Sequence, residues 1–138
     1  MIRAEFFDRW SPRILSVLRV VVGLLYMEHG TAKLLSYPYA KYLVLYEPRW
    51  SLSGIAGFMD TFGGLLLIFG LFTRPAAFLL SGEMAIAYFL VKAPHGFFPI
   101  LNGGEINIIY SFLFLYFAAA GGGSLSFDRL LRKDFLGC

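Results

Sequence analysis

Four apolar runs, each with a carboxylate in its interior or at its mouth, constrain this chain more than any other feature. The runs cover residues 14–35, 54–72, 75–91 and 106–120, and the acids are Glu28, Asp60, Glu83 and, at the entrance of the last run, Glu105. An acidic side chain near the centre of a membrane helix costs about 2.5–3.5 kcal/mol on insertion-based scales. Three or four of them left alone in hydrocarbon cost on the order of 10 kcal/mol. They must therefore face one another, a basic partner or water inside a bundle. The fold this predicts is all-α: a polytopic membrane four-helix bundle, made by residues 1–138 as a single domain.

Composition narrows the choice further. Hydrophobic residues make up 58% of the chain and charged residues 15%, with a mean hydropathy of +0.68. A soluble domain carries about a quarter of its residues charged and cannot hide so much apolar surface. Four spans of about 20 residues use most of the length, which leaves no room for a separate soluble catalytic domain.

The formal charge is +3, and its placement argues for a bilayer as partner and against nucleic acid. Arg3, Arg9, Arg13, Arg74, Arg129, Arg132 and Lys133 flank one side of the four runs, whereas the other side has only Lys41, Arg49 and Lys92. By the positive-inside rule both termini are cytoplasmic, and the basic clusters fit anionic lipid better than a phosphate backbone. The single cysteine, Cys138, has no partner for an internal disulfide.

Local signals place the remaining pieces. Residues 4–10 are expected to form a short interfacial helix, with Ser11-Pro12 opening the first span and no cleavable leader before it. Between the first two spans, Tyr37, Tyr39, Tyr42, Tyr46 and Trp50 suit an aromatic belt. A hairpin is expected at 70–75 with Thr73 capping the third helix, and Asn102 with Glu105 forms a capping-box pattern before the fourth. Ser126 is expected to cap a short amphipathic helix running through Phe135. Ser53, Gly57, Thr61 and Gly64 form a stripe of small residues on helix two. Such a stripe suits close packing within the bundle and also admits a homo-oligomer interface.

Depth along each helix brings most of the charges to one half of the membrane. At 1.5 Å per residue, Glu28 and His29 lie about two-thirds of the way outward and Lys33 lies near the outer end. Asp60 sits about 10 Å below the outer interface. Glu83 lies near mid-membrane and Glu105 at the outer mouth. Glu28, His29, Lys33, Asp60, Glu83 and Glu105 are therefore expected to line one polar cavity open to the outer side, with Lys33 beside a carboxylate. Within it, Glu83 has the strongest claim to chemistry, because no basic residue lies within a turn on its own helix. Asp60 and Lys33 suit a structural pair as well as a functional one. Arg19, alone in the inner half, is close enough to the interface to snorkel. No metal site is expected, since His29, His95 and the acids fall on separate segments without ligand spacing.

Taken in order, these residues resemble a family. Arg19-x-x-x-Gly23, His29-Gly30-x-x-Lys33, Asp60-x-x-Gly63-Gly64, Gly70-Leu71-x-Thr73-Arg74-x-Ala76-Ala77 and Gly103-Gly104-Glu105 are followed by Gly121-Gly122-Gly123-Ser124-Leu125-Ser126-Phe127-Asp128. The set is similar to that of the DoxX family of small bacterial membrane proteins. Two positions depart from the family pattern: Asp60 stands where Glu is usual, and Gly121-Gly122-Gly123 where Gly-Pro-Gly is usual. The resemblance implies a four-helix protein of the bacterial inner membrane, similar to the membrane subunit of thiosulfate:quinone oxidoreductases. A quinone ligand and a redox partner subunit follow from it as expectations. The residues themselves assign no catalytic group, since there is no thiol pair and no nucleotide fingerprint. They equally admit a non-enzymatic scaffold or stress-associated protein, or a small proton-linked carrier.

Overall fold

A computed structural model describes residues 2–41 and 50–136 of the chain. Its first helix, α1 (Ile2–Leu35), is a single run of 34 residues with Pro12 inside it. At 1.5 Å per residue it is about 51 Å long, well beyond the hydrocarbon thickness of a bilayer. The separate interfacial helix expected at 4–10 is thus part of α1. Proline at position 12 deprives only the Asp8 carbonyl of its helical donor, and Asp8 is exposed, so water can serve in its place. The Pro12 carbonyl itself is held by Ser16 Oγ at 3.0 Å and by the Ser124 N–H at 3.1 Å.

Helix α2 (Leu52–Phe69) starts at Ser51, whose hydroxyl accepts the Gly54 N–H at 3.3 Å. It stops at Gly70, in the left-handed region at φ 66°. There the Leu71 N–H reaches the Leu66 carbonyl and the Gly70 N–H reaches that of Leu67, a Schellman ending that requires glycine at the turn. Helix α3 (Thr73–Ala87) follows at once and continues through a π-helical turn at Tyr88–Lys92 and a 3-10 turn at Ala93–His95. The one-turn α4 (Pro99–Asn102) leads into α5 (Glu105–Ala120), and α6 (Phe127–Leu136) closes the chain. Three helical stretches, Ala4–Leu35, Leu52–Phe69 and Thr73–His95, are long and apolar enough to cross a membrane; α5 is apolar but has only 16 residues.

The helices pair as α1 with α2 and α3 with α5, and the α2–α3 turn joins the pairs. Small residues draw α1 and α2 together: Gly23 meets the backbone of Gly64 and Ile68, while Gly30 meets Gly57 and Thr61. Gly57, Thr61 and Gly64 of the predicted stripe therefore face α1, whereas Ser53 is exposed. Two reciprocal bonds fasten the second pair, Ser81 Oγ to the Ser111 carbonyl at 2.7 Å and Ser111 Oγ to the Ser81 carbonyl at 3.0 Å. Between the pairs lies an apolar centre of Val22, Tyr26, Leu67, Leu80, Tyr110, Phe114 and Phe117. Outside, Phe62, Phe78, Phe112 and Leu115 are exposed, while Arg19, Asp60 and Asn107 are buried. Apolar groups outward and charges inward is the arrangement a hydrocarbon solvent imposes. This is a membrane protein.

Of the aromatic belt expected over 37–53, Tyr37, Tyr39 and Trp50 are exposed, while Tyr42 and Tyr46 lie outside the described residues, as does Cys138.

Candidate functional site

Buried charge gathers on two levels of the bundle. The first is built on the face of α1 that carries Tyr26, His29 and Lys33, spaced three, four and seven residues apart so that they share one stripe. Lys33 Nζ donates to Asp60 Oδ2 of α2 at 2.6 Å, and the carboxylate is 1% exposed. Seven residues earlier on α1, the Tyr26 hydroxyl donates to Glu83 Oε2 of α3 at 3.2 Å. Asp60, Lys33 and Tyr26 are the polar neighbours of the Glu83 carboxyl, so three helices meet here. Asp60 Oδ1 and Glu83 Oε1 are both buried without a hydrogen-bond partner. One ammonium and one phenol thus serve two carboxyl groups, and two acceptor oxygens are left over. Such a centre can receive hydrogen bonds from a donor-bearing ligand or exchange a proton with it.

His29 flanks this centre. Its Nδ1 lies 2.8 Å from the Leu25 carbonyl, which can only accept, so Nδ1 carries a proton. The ring sits 6.5 Å from that of Tyr26 and 6.4 Å from that of Tyr110. Glu28, offset by about 100° on the helix, is exposed beside Tyr110. Glu105 is exposed at the start of α5. Of the six residues expected to share a cavity, the structure brings Lys33, Asp60 and Glu83 together, sets His29 at the edge, and turns Glu28 and Glu105 outward. The capping box is absent too: Asn102 ends α4, where its side chain accepts the Gly104 N–H at 2.7 Å and donates to the Gly96 carbonyl at 2.8 Å.

Tyr26 was not anticipated at this centre, although its seven-residue spacing from Lys33 carried the signal. In a chain with eight tyrosines, the residue type alone points to an interfacial belt.

The second level lies where α1, the α2–α3 turn and the segment after α5 meet. Arg19, expected to snorkel, is instead turned inward and 1% exposed. Its guanidinium donates to the carbonyls of Gly122, of Leu125 at 2.9 Å and of Ile68 at 3.4 Å. Ser16 Oγ accepts the Leu125 N–H at 3.0 Å. The start of α3 is capped by Asp128, whose two carboxylate oxygens accept the N–H groups of Phe72 at 2.8 Å and Thr73 at 2.9 Å. Thr73, the expected cap, is already the first helical residue, and its buried hydroxyl has no partner. Ser126 does cap α6, accepting the Arg129 N–H at 3.3 Å. This level fastens the ends of the helices together; its donors and acceptors bond mainly to backbone.

A profile of the DoxX family matches residues 14–93. An uncharacterized protein of Haemophilus influenzae is 44% identical over 129 residues, covering 91% of this chain and 96% of that protein. The inner membrane protein YqjF of Escherichia coli is 29% identical over 128 residues, covering 86% of this chain and 92% of its own length. A second uncharacterized Haemophilus influenzae protein is 34% identical over 70 residues, about half of either chain (51% and 46%). No solved structure matches the chain significantly.

Proposed function

The chain belongs to the DoxX family, and from that premise we propose that it is a multi-pass protein of the bacterial inner membrane acting as a subunit or accessory of a membrane redox system. In this reading α1, α2, α3 and α5 are the four spans of one bundle and both termini are cytoplasmic. Lys33, Asp60, Glu83 and Tyr26 receive the polar head of a quinone or a small sulfur compound, with His29 beside them. The observation that carries it is the pair of buried carboxyl oxygens, Asp60 Oδ1 and Glu83 Oε1, left without partners. Burying an unsatisfied acceptor costs about 1–3 kcal/mol, and the hydroxyls of a reduced quinone would satisfy both. Lys33 would donate to a quinone carbonyl. The chain would contribute binding and proton exchange, while electrons pass through a partner subunit.

The inner-membrane location is supported by the name of the Escherichia coli relative, and the orientation by the seven-to-three distribution of basic residues.

A non-enzymatic scaffold is the second reading, favoured by the Lys33–Asp60 ion pair and the Tyr26–Glu83 bond, each of which ties one helix to another. Purification in mild detergent followed by an absorption spectrum and extraction of bound lipids separates the two. The redox reading expects a quinone retained at about one per bundle and lost on Glu83→Gln. Purified protein free of quinone, with Glu83→Gln altered only in its stability, would leave the scaffold.

A further inference from the structure

On the side of the bundle where α1, the α2–α3 turn and α6 meet, a cleft of about 900 Å³ opens between α1 around Pro12, the start of α3 and the segment 120–133. Four cations line it, Arg74, Arg129, Arg132 and Lys133, against a single carboxylate, Asp128. That carboxylate is already engaged by the two N–H groups at the head of α3. Among the described residues none of the four cations forms an ion pair. Arg74 is exposed and its guanidinium lies over Gly121, where an added methyl group would sit 3.4 Å from its Nε. The cleft wall also includes Thr73, completely buried, whose hydroxyl has no hydrogen-bond partner. Four cations around one cleft plus a spare hydroxyl donor match a compact polyoxygen anion.

We propose that this cleft is a binding site for a phosphate group, carried either by an anionic phospholipid or by a free phosphorylated molecule. Arg74 supplies bidentate donors, Arg132 and Lys133 close over the group from α6, and Thr73 Oγ1 donates from below. The site lies at the end of the bundle opposite the Lys33–Asp60 pair and does not depend on the redox reading.

Two probes separate the sources: inorganic phosphate titrated calorimetrically at fixed ionic strength, and dodecyl maltoside micelles doped with phosphatidylglycerol, read by the shift in unfolding temperature. Two charge-matched variants decide whether binding is local. Arg74→Gln/Arg132→Gln removes two cleft cations, and Arg9→Gln/Arg13→Gln removes two exposed cations of α1 outside it. The wild type is expected to bind at least one probe. The cleft variant should lose about tenfold in affinity, and the control should stay within about twofold. Thr73→Val, which breaks no hydrogen bond of the free protein, should weaken binding without lowering the unfolding temperature of the free protein. A response to phosphatidylglycerol alone assigns the site to lipid; a response to inorganic phosphate assigns it to a soluble ligand. Binding of neither probe, or equal losses in both charge-matched variants, overturns the site.

Discussion

Lys33 holds its charge between two environments: its side chain is 17% exposed while the Asp60 carboxylate it meets is 1% exposed. Removing the lysine leaves that carboxylate desolvated and without its cation, whereas replacing both partners leaves a neutral amide beside an apolar side chain and no buried charge. Lys33→Met is therefore expected to destabilise by about 3–5 kcal/mol, and Lys33→Met/Asp60→Asn to recover part of the loss. Thermal unfolding of the purified variants in one detergent measures this, and a single variant as stable as wild type would remove the pair from the structural account. Lys33 and Asp60 could be matched from sequence because helical depth places both in the same half of the membrane. The Asp128 cap could not, since it joins residues 55 and 56 positions apart and no local pattern encodes a contact of that range. Arg19 misled for a related reason. Its acceptors are carbonyls exposed by the ends of α2 and the turn after α5, which exist only once those elements are assembled.

At the scale of the elements, α1 and α2 form the tightest contact, and small residues make it so. A Cβ at Gly64 would lie 2.8 Å from both the Gly23 carbonyl oxygen and the Met27 nitrogen, which are backbone atoms that cannot swing aside. Gly64→Leu is expected to separate the two helices and lower stability by about 1–3 kcal/mol or more. A variant that melts with wild type would place this face elsewhere. The stripe was readable from spacing alone, and so were the hairpin at Gly70 and the amphipathic α6. The continuity of α1 was not, because proline at position 12 fits a helix start as well as a helix interior whose one lost bond can be solvated.

Across the whole molecule the bundle is two helical pairs joined by a short turn, with charge at two levels and apolar side chains between them and outside. Orientation in the bilayer rests on the basic residues, and Cys138 reports it: membrane-impermeant thiol reagents applied to intact cells should leave it unlabelled, with labelling only after permeabilisation. Labelling from outside would reverse both termini. The segment after α5 has a further consequence for the order of events during synthesis. A ribosome delivers α1 into the membrane some hundred residues before Gly122 and Leu125 exist. Through that interval the Arg19 guanidinium lacks two of its three carbonyl acceptors. A chain cut short before Gly121 keeps this deficit permanently, with an unsatisfied cation where a finished chain has a sealed one. The segment made last thus satisfies a charge carried by the helix made first.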